Sequence, residues 1–106
     1  MKQGEVWWVD FAMPIGRHPA VLLTRTLALP YMTQVSVAPI TTTIRGLDSE
    51  VELNPDEDGV RDACVVSLDN VQTVSVRLLD DMLTELTSSR MAEVFEALHF
   101  AYDMPF

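Results

Sequence analysis

Few residues of this 106-residue chain are of types that do chemistry at close quarters. Its single cysteine, Cys64, precedes Val65-Val66 in an apolar run, so it reads as a small buried hydrophobe rather than a nucleophile. One cysteine forms neither an internal disulfide nor a cysteine metal cluster. His99 sits beside the apolar face of a helical pattern and reads as a packing or surface histidine. Asn54-Pro55-Asp56-Glu57-Asp58-Gly59 imitates the first half of a calcium-binding loop, but its twelfth position is Val65 rather than glutamate. The stretch therefore reads as a solvated acidic hairpin loop. No P-loop, dinucleotide fingerprint, HExxH or CxxC is present. Trp7 and Trp8 are neighbours and point to opposite faces of a regular strand. Core or dimer packing is the plainer reading for both, and stacking on a nucleobase is the sharper one for the ring outside the core.

The remaining chemistry is electrostatic. The chain carries a formal net charge of −9, and the charge is unevenly placed. Residues 1–47 hold four bases and two acids, whereas residues 48–106 hold three bases and fourteen acids. Between Phe11 and Leu47 there is no carboxylate, although average usage would place roughly five or six there. A strongly acidic protein repels nucleic acid as a whole. The acid-free stretch, with Arg17, Arg25 and Arg45, leaves two readings: a local anion-binding surface, or a buried β-rich half with few charged positions.

The elements that position these residues read mostly as strands. Glu5–Phe11 is rich in β-branched and aromatic residues. Met13-Pro14-Ile15-Gly16 signals a turn, Pro19–Thr24 a short buried strand, and Thr26–Thr33, with Pro30, an irregular connection. Gln34–Ile40 places Val35 and Val37 in period two. Glu50–Leu53 alternates, Ala63–Leu68 is a buried strand, and Val71–Val76 continues the sheet after a kink at Asp69-Asn70. Leu78–Leu86 is ambiguous between a helical turn and a strand. Ser88–Tyr102 is a helix capped by Thr87, with Met91, Val94, Phe95, Leu98 and Tyr102 on one face. Short strands followed by one terminal helix predict a mainly β, α+β domain over residues 1–106: a small barrel or curled antiparallel sheet with the helix against it.

The length fits one such domain. A charged fraction of 22% and a hydrophobic fraction of 48% exclude a disordered chain. No run approaches the ~20 apolar residues of a membrane span, and the opening Met1-Lys2-Gln3-Gly4-Glu5 lacks the apolar region of a signal peptide. The expectation is a cytoplasmic protein without a membrane partner.

Four ordered segments resemble the MazF/PemK/Kid family of toxin endoribonucleases. Gly4-Glu5-Val6-Trp7 is similar to the family's opening strand. Gly16-Arg17-His18-Pro19-Ala20-Val21-Leu22-Leu23 is similar to its Arg-Arg-Pro-x-Leu-Val-Val strand. Val35-Ser36-Val37-Ala38-Pro39-Ile40-Thr41-Thr42 is similar to Val-Val-x-Pro-Ile-Thr-Ser/Thr, and Val65-Val66-Ser67-Leu68-Asp69-Asn70-Val71-Gln72-Thr73-Val74 to Val-Val-x-x-Asp-Gln-Ile-Arg-Thr-Val. The terminal helix matches as well. The resemblance implies an SH3-like β-barrel with a C-terminal helix, a homodimer, a cognate antitoxin and cleavage of single-stranded RNA without metal or other cofactor.

On that resemblance the catalytic set is Arg17, His18 and Thr41, with Asp69 as a possible further member. The family's arginine before the proline is replaced by His18, and Arg17 precedes it. Arginine offsets phosphoryl charge with a planar donor fork, histidine exchanges a proton near neutrality, and a threonine hydroxyl donates to a phosphate oxygen. If Arg17 and His18 are already in a strand, they face opposite sides. Asp69 has an equal structural reading, as a turn hydrogen-bonding residue. Arg25, Thr42, Thr43, Arg45 and Gln72 are the expected RNA-binding residues. The segment Ala12–Gly16 is shorter than the family's usual loop. Two other readings stand beside the nuclease: a non-catalytic dimeric binding module, and a CcdB-like gyrase poison. The latter works through a C-terminal Trp-Gly-Ile, where this chain has Met104-Pro105-Phe106.

Overall fold

A computed structural model describes residues 1–105. Phe106, the last residue of the tail compared above with Trp-Gly-Ile, lies outside the described residues. The strands are β1 (Glu5–Asp10), β2 (Arg17–Leu22), β3 (Gln34–Thr41), β4 (Glu50–Leu53), β5 (Cys64–Ser67), β6 (Gln72–Ser75) and β7 (Leu79–Glu85). A one-turn helix α1 (Pro55–Asp58) follows β4, and α2 (Ser88–Ala101) closes the described chain. All pairings are antiparallel, in the order β4-β5-β3-β2-β1-β7, with β6 beside β5 along the same edge of β3. β5 and β6 are thus one strand broken by the 3-10 turn Leu68–Asn70, where the kink was expected.

The α+β class holds, but no ladder joins β4 to β7 among the described residues, so the sheet is open where a barrel would close. Gly59, at φ +71°, lies so close to β7 that a Cβ on it would stand 2.5 Å from Thr84 Oγ1. Only glycine meets both conditions.

Strand alternation feeds two cores. Val6, Val21, Ala38, Ile40, Val51, Leu53 and Val66 face α2. Val9, Phe11, Ala20, Leu22, Val35, Val37 and Val74 face the other way, under Leu29 from the 3-10 helix Thr26–Tyr31. Each fully buried valine or leucine is worth about 1.5–3 kcal/mol relative to exposure.

Several expectations are corrected. The stretch Thr26–Thr33, expected to be an irregular connection, holds a 3-10 helix over Thr26–Tyr31 with Pro30 inside it. β2 begins at Arg17 rather than Pro19. Leu78–Leu86 resolves to a strand. Helix α2 is capped by Thr87, whose Oγ1 accepts from the Arg90 N–H at 3.1 Å, as expected. Its buried face, however, runs through Met91, Val94 and Ala97, with Leu98 and Ala101 partly covered, while Phe95 and Tyr102 are exposed. The small alanines let the helix backbone sit close to the sheet, and that rotation turns the larger rings outward.

The acidic loop is the largest departure. Asn54 caps α1, and Asp58 is buried rather than solvated. Arg90 of α2 grips it with a two-pronged contact, Nε to Oδ1 at 2.9 Å and Nη2 to Oδ2 at 3.1 Å. Glu57 and Glu93 flank the same guanidinium. The Asp58 hydrogen bond pushes the Arg90 pKa up, burial opposes it, and the charges of Asp58, Glu93 and Glu57 add to the rise. Removing the cation leaves the buried Asp58 carboxylate without a counter-charge, with the Asn54 N–H still donating to its Oδ2 at 2.9 Å; breaking a buried pair in this way costs about 3–5 kcal/mol. Arg90→Leu is therefore expected to lower the unfolding free energy by about that amount in urea titrations. A loss within the ordinary surface range, below about 0.5 kcal/mol, would show that the fork contributes nothing.

Candidate functional site

The site begins where a ladder ends. The β2–β3 register runs Leu22↔Val37, Val21↔Ala38 and Ala20↔Pro39, then stops. Leu23 N–H donates to Ser36 O at 2.9 Å, and in that phase Pro19 is the next β2 position after Val21 that faces β3, where it has no N–H to give. Continued two and three steps, the same register sets His18 toward Thr41 and Arg17 toward Thr42. A hollow of about 300 Å³ opens there. β2 contributes Arg17, His18 and Pro19; β3 and the residue after it contribute Ile40, Thr41 and Thr42. Trp8 of β1 and Leu83 of β7 form another wall, and Val60, Arg61 and Asp62 of the loop held by Asp58 and Gly59, with Cys64 at the start of β5, complete it.

Arg17 and His18 are adjacent in a strand and yet line the same hollow, because it lies at the strand's end. The Arg17 guanidinium sits over Trp8, 5.0 Å from the ring centroid. Its Nη1 donates to Asp80 Oδ2 at 2.8 Å, and its Nη2 lies 4.0 Å from Asp81. Thr41 Oγ1 accepts from the Thr43 N–H at 3.2 Å, which leaves the hydroxyl hydrogen available to a ligand.

β7 reaches this corner through two irregularities. Its pairing with β1 passes from Val6↔Thr84 to Trp7↔Met82 and then to Trp8↔Asp80. Leu83 and Asp81 are therefore extra residues in the ladder, and bulges of this kind redirect side chains. Leu83 enters the hollow wall, and Asp81, at φ +40°, comes near Arg17.

Arg17, His18, Thr41 and Thr42 are thus brought together, and Thr43 follows on the exposed segment that leaves the hollow. Arg45 lies further along that segment, where its N–H donates to Glu50 Oε1 at 3.0 Å. Arg25 is beyond the far end of β2, roughly 17 Å of strand from Arg17, in a different groove with Met32, Leu98 and Tyr102. Gln72 is paired with Val37 in β6. Asp69 sits in the 3-10 turn and accepts from Ser49 Oγ, outside the hollow. Within one chain the arginines of the acid-free stretch are therefore not gathered. Sequence reasoning missed Trp8, Arg61, Asp62 and Leu83 as wall residues. Arg61 carried a signal: it is the only base between Arg45 and Arg77, directly after the tight turn at Gly59. It makes no ion pair or side-chain hydrogen bond among the described residues.

The model of the family described as PemK-like, MazF-like toxin of type II toxin-antitoxin system matches residues 2–102. The "Probable endoribonuclease MazF5" of Mycobacterium tuberculosis strain H37Rv is 46% identical over 101 residues, covering 95% of this chain and 92% of the relative. The solved "Mycobacterium tuberculosis toxin MazF-mt6" superposes with a TM-score of 0.88 at 34% identity, over 96% of this chain and 99% of that one. A mycobacterial "Endoribonuclease in complex with its cognate antitoxin" gives 0.88 at 25% identity, over 100% and 98%.

Burial first, then the charges of Asp58 and Asp62, push the Cys64 thiol above its ordinary pKa. A raised thiol pKa means less thiolate at neutral pH, so alkylation is suppressed there and rises only with alkali. Iodoacetamide labelling followed by mass spectrometry is expected to be slower at pH 7 than for free cysteine and to climb above pH 9. Neutral-pH labelling at the free-cysteine rate would contradict the buried, neutral thiol.

Proposed function

The chain belongs to the PemK-like, MazF-like toxin family of type II toxin-antitoxin systems, and on that premise we propose that it is an endoribonuclease working in the hollow between β2 and β3. Its substrate is single-stranded RNA, and its protein partners are a second copy of the chain and a cognate antitoxin. Its place of action is the cytoplasm. No helix among the described residues is long and apolar enough to cross a membrane. The observation that carries this reading is the convergence of Arg17, His18 and Thr41 on one hollow, from positions the family motifs single out.

The chemistry follows from what these groups can do. The ribose 2′-hydroxyl attacks the adjacent phosphorus as the bond to the 5′-oxygen breaks. The products are a 2′,3′-cyclic phosphate and a 5′-hydroxyl end, and no metal is needed because the nucleophile belongs to the substrate. One proton leaves the 2′-oxygen and one reaches the 5′-oxygen. His18 is the imidazole in the hollow, a side chain whose ring nitrogens can both accept and donate a proton. Thr41 turns its hydroxyl hydrogen toward a phosphoryl oxygen, and Arg17 offers guanidinium N–H groups to the same developing charge. Arg61, at the opposite wall, attracts the neighbouring phosphate, and Thr42 and Thr43 supply hydroxyls along the strand's exit. Asp69 and Gln72 are left out of this set by position, and Arg25 and Arg45 lie too far along the chain to touch the same phosphate.

Purified protein incubated with mixed single-stranded RNA in EDTA is expected to cut at defined sequences and leave 5′-hydroxyl ends. Binding is expected to weaken steeply as salt rises, as it does wherever phosphates are neutralised. His18→Ala and Thr41→Ala should each slow cleavage by about 10²-fold or more without loss of the folded state by circular dichroism. Undiminished cutting by both variants would remove these residues from the chemistry, and an absence of any cut would remove the nuclease itself.

A further inference from the structure

The corner around Arg17 holds more than a nuclease site requires. Asp80 and Asp81 are both directed at Arg17, the guanidinium next to His18 at the hollow. Asp81 is held there at φ +40°, a left-handed conformation that costs a residue with a Cβ and that glycine would adopt freely. Both carboxylates and the guanidinium are substantially exposed, at 63%, 80% and 45%. Exposed ion pairs of this kind are weak and exchangeable. Trp8 contacts Arg17 through its ring face, so the guanidinium keeps an anchor that does not depend on either carboxylate.

We infer that Asp80 and Asp81 form a built-in counter-anion that competes with the RNA phosphate for Arg17, while Trp8 keeps the guanidinium at the hollow during the exchange. The inference rests on the endoribonuclease reading and deepens it. In the free protein the Arg17 charge is answered from within. A phosphodiester reaching the hollow replaces Asp80 on Nη1, and the freed carboxylate turns to solvent. No bond is made or broken covalently, and the exchange conserves charge at Arg17. Affinity for RNA is thereby lowered at the residue that touches the scissile phosphate, whereas Arg61 across the hollow has no such competitor among the described residues.

The test uses an RNA that the wild type cuts, with a single 2′-deoxyribose before the scissile phosphate so that it binds without reacting. Asp80→Asn with Asp81→Asn is expected to bind it about fivefold more tightly than the wild type. Glu52→Gln with Glu96→Gln, exposed positions outside the hollow, gives the same net charge and should gain less than about twofold. In an Arg17→Ala background the advantage of the Asp80 and Asp81 replacements should vanish. Equal gains in the two charge-matched pairs, or a gain that survives loss of Arg17, would overturn the inference while leaving the nuclease in place. Weaker binding after Asp80→Asn would also overturn it, by making Asp80 a support for Arg17 instead. A wild type that cuts no RNA would overturn the underlying reading and this inference with it.

Discussion

The constraint on which this molecule turns is the early end of one hydrogen-bonded ladder. β2 and β3 are bound through Ala20↔Pro39, after which Pro19 withdraws the donor that would carry the pairing onward to Ile40. Both strands continue: β2 stays paired to β1 as far as Arg17, and β3 pairs with β5 through Ile40 and Thr41. Their outer flanks are held while their shared edge is not. A rigid pair of jaws results, with Arg17 and His18 on one and Thr41 and Thr42 on the other. Groups held on strands rather than on free loops keep their spacing, which is what orientation of a reacting phosphate requires.

The third side of the hollow depends on a different interaction. Val60, Arg61 and Asp62 belong to a loop with little regular structure of its own. Two contacts fix it. The Asp58–Arg90 fork ties its start to α2, and Gly59 seats it against Thr84 with no room for a side chain. The terminal helix therefore does more than cover a core, since its arginine, Arg90, positions a wall of the hollow from the far side of the loop.

Charge is handled locally. A chain of net charge −9 offers RNA little attraction as a whole, so the proposed function requires local positive charge at the hollow. The hollow holds two arginines in unlike settings: Arg17, stacked on Trp8 and answered by carboxylates of a bulged strand, and Arg61, without an ion partner among the described residues. The bulges are what bring Asp80 and Asp81 of β7 to Arg17 of β2, 63 and 64 positions away in the chain.

Most strands were legible because they are short runs of β-branched and apolar residues between proline, glycine and polar breaks, a pattern that is local. The cap at Thr87, the helix after it and the kink at Asp69-Asn70 were legible for the same reason. Arg17, His18 and Thr41 could be named from ordered motifs, since motif and spacing survive in one dimension. Tertiary structure alone decided what depends on approach between distant segments. It left the sheet open between β4 and β7, seated Gly59 against Thr84, buried Asp58 beneath Arg90, and rotated α2 so that Ala97 rather than Phe95 meets the core. It also set Trp8 under Arg17 and separated Arg25 from the hollow although the two arginines share an acid-free stretch. The physical reason is that periodicity and propensity act between near neighbours, whereas ion pairs, bulge register and the clearance for a single Cβ are fixed only when remote parts of the chain meet.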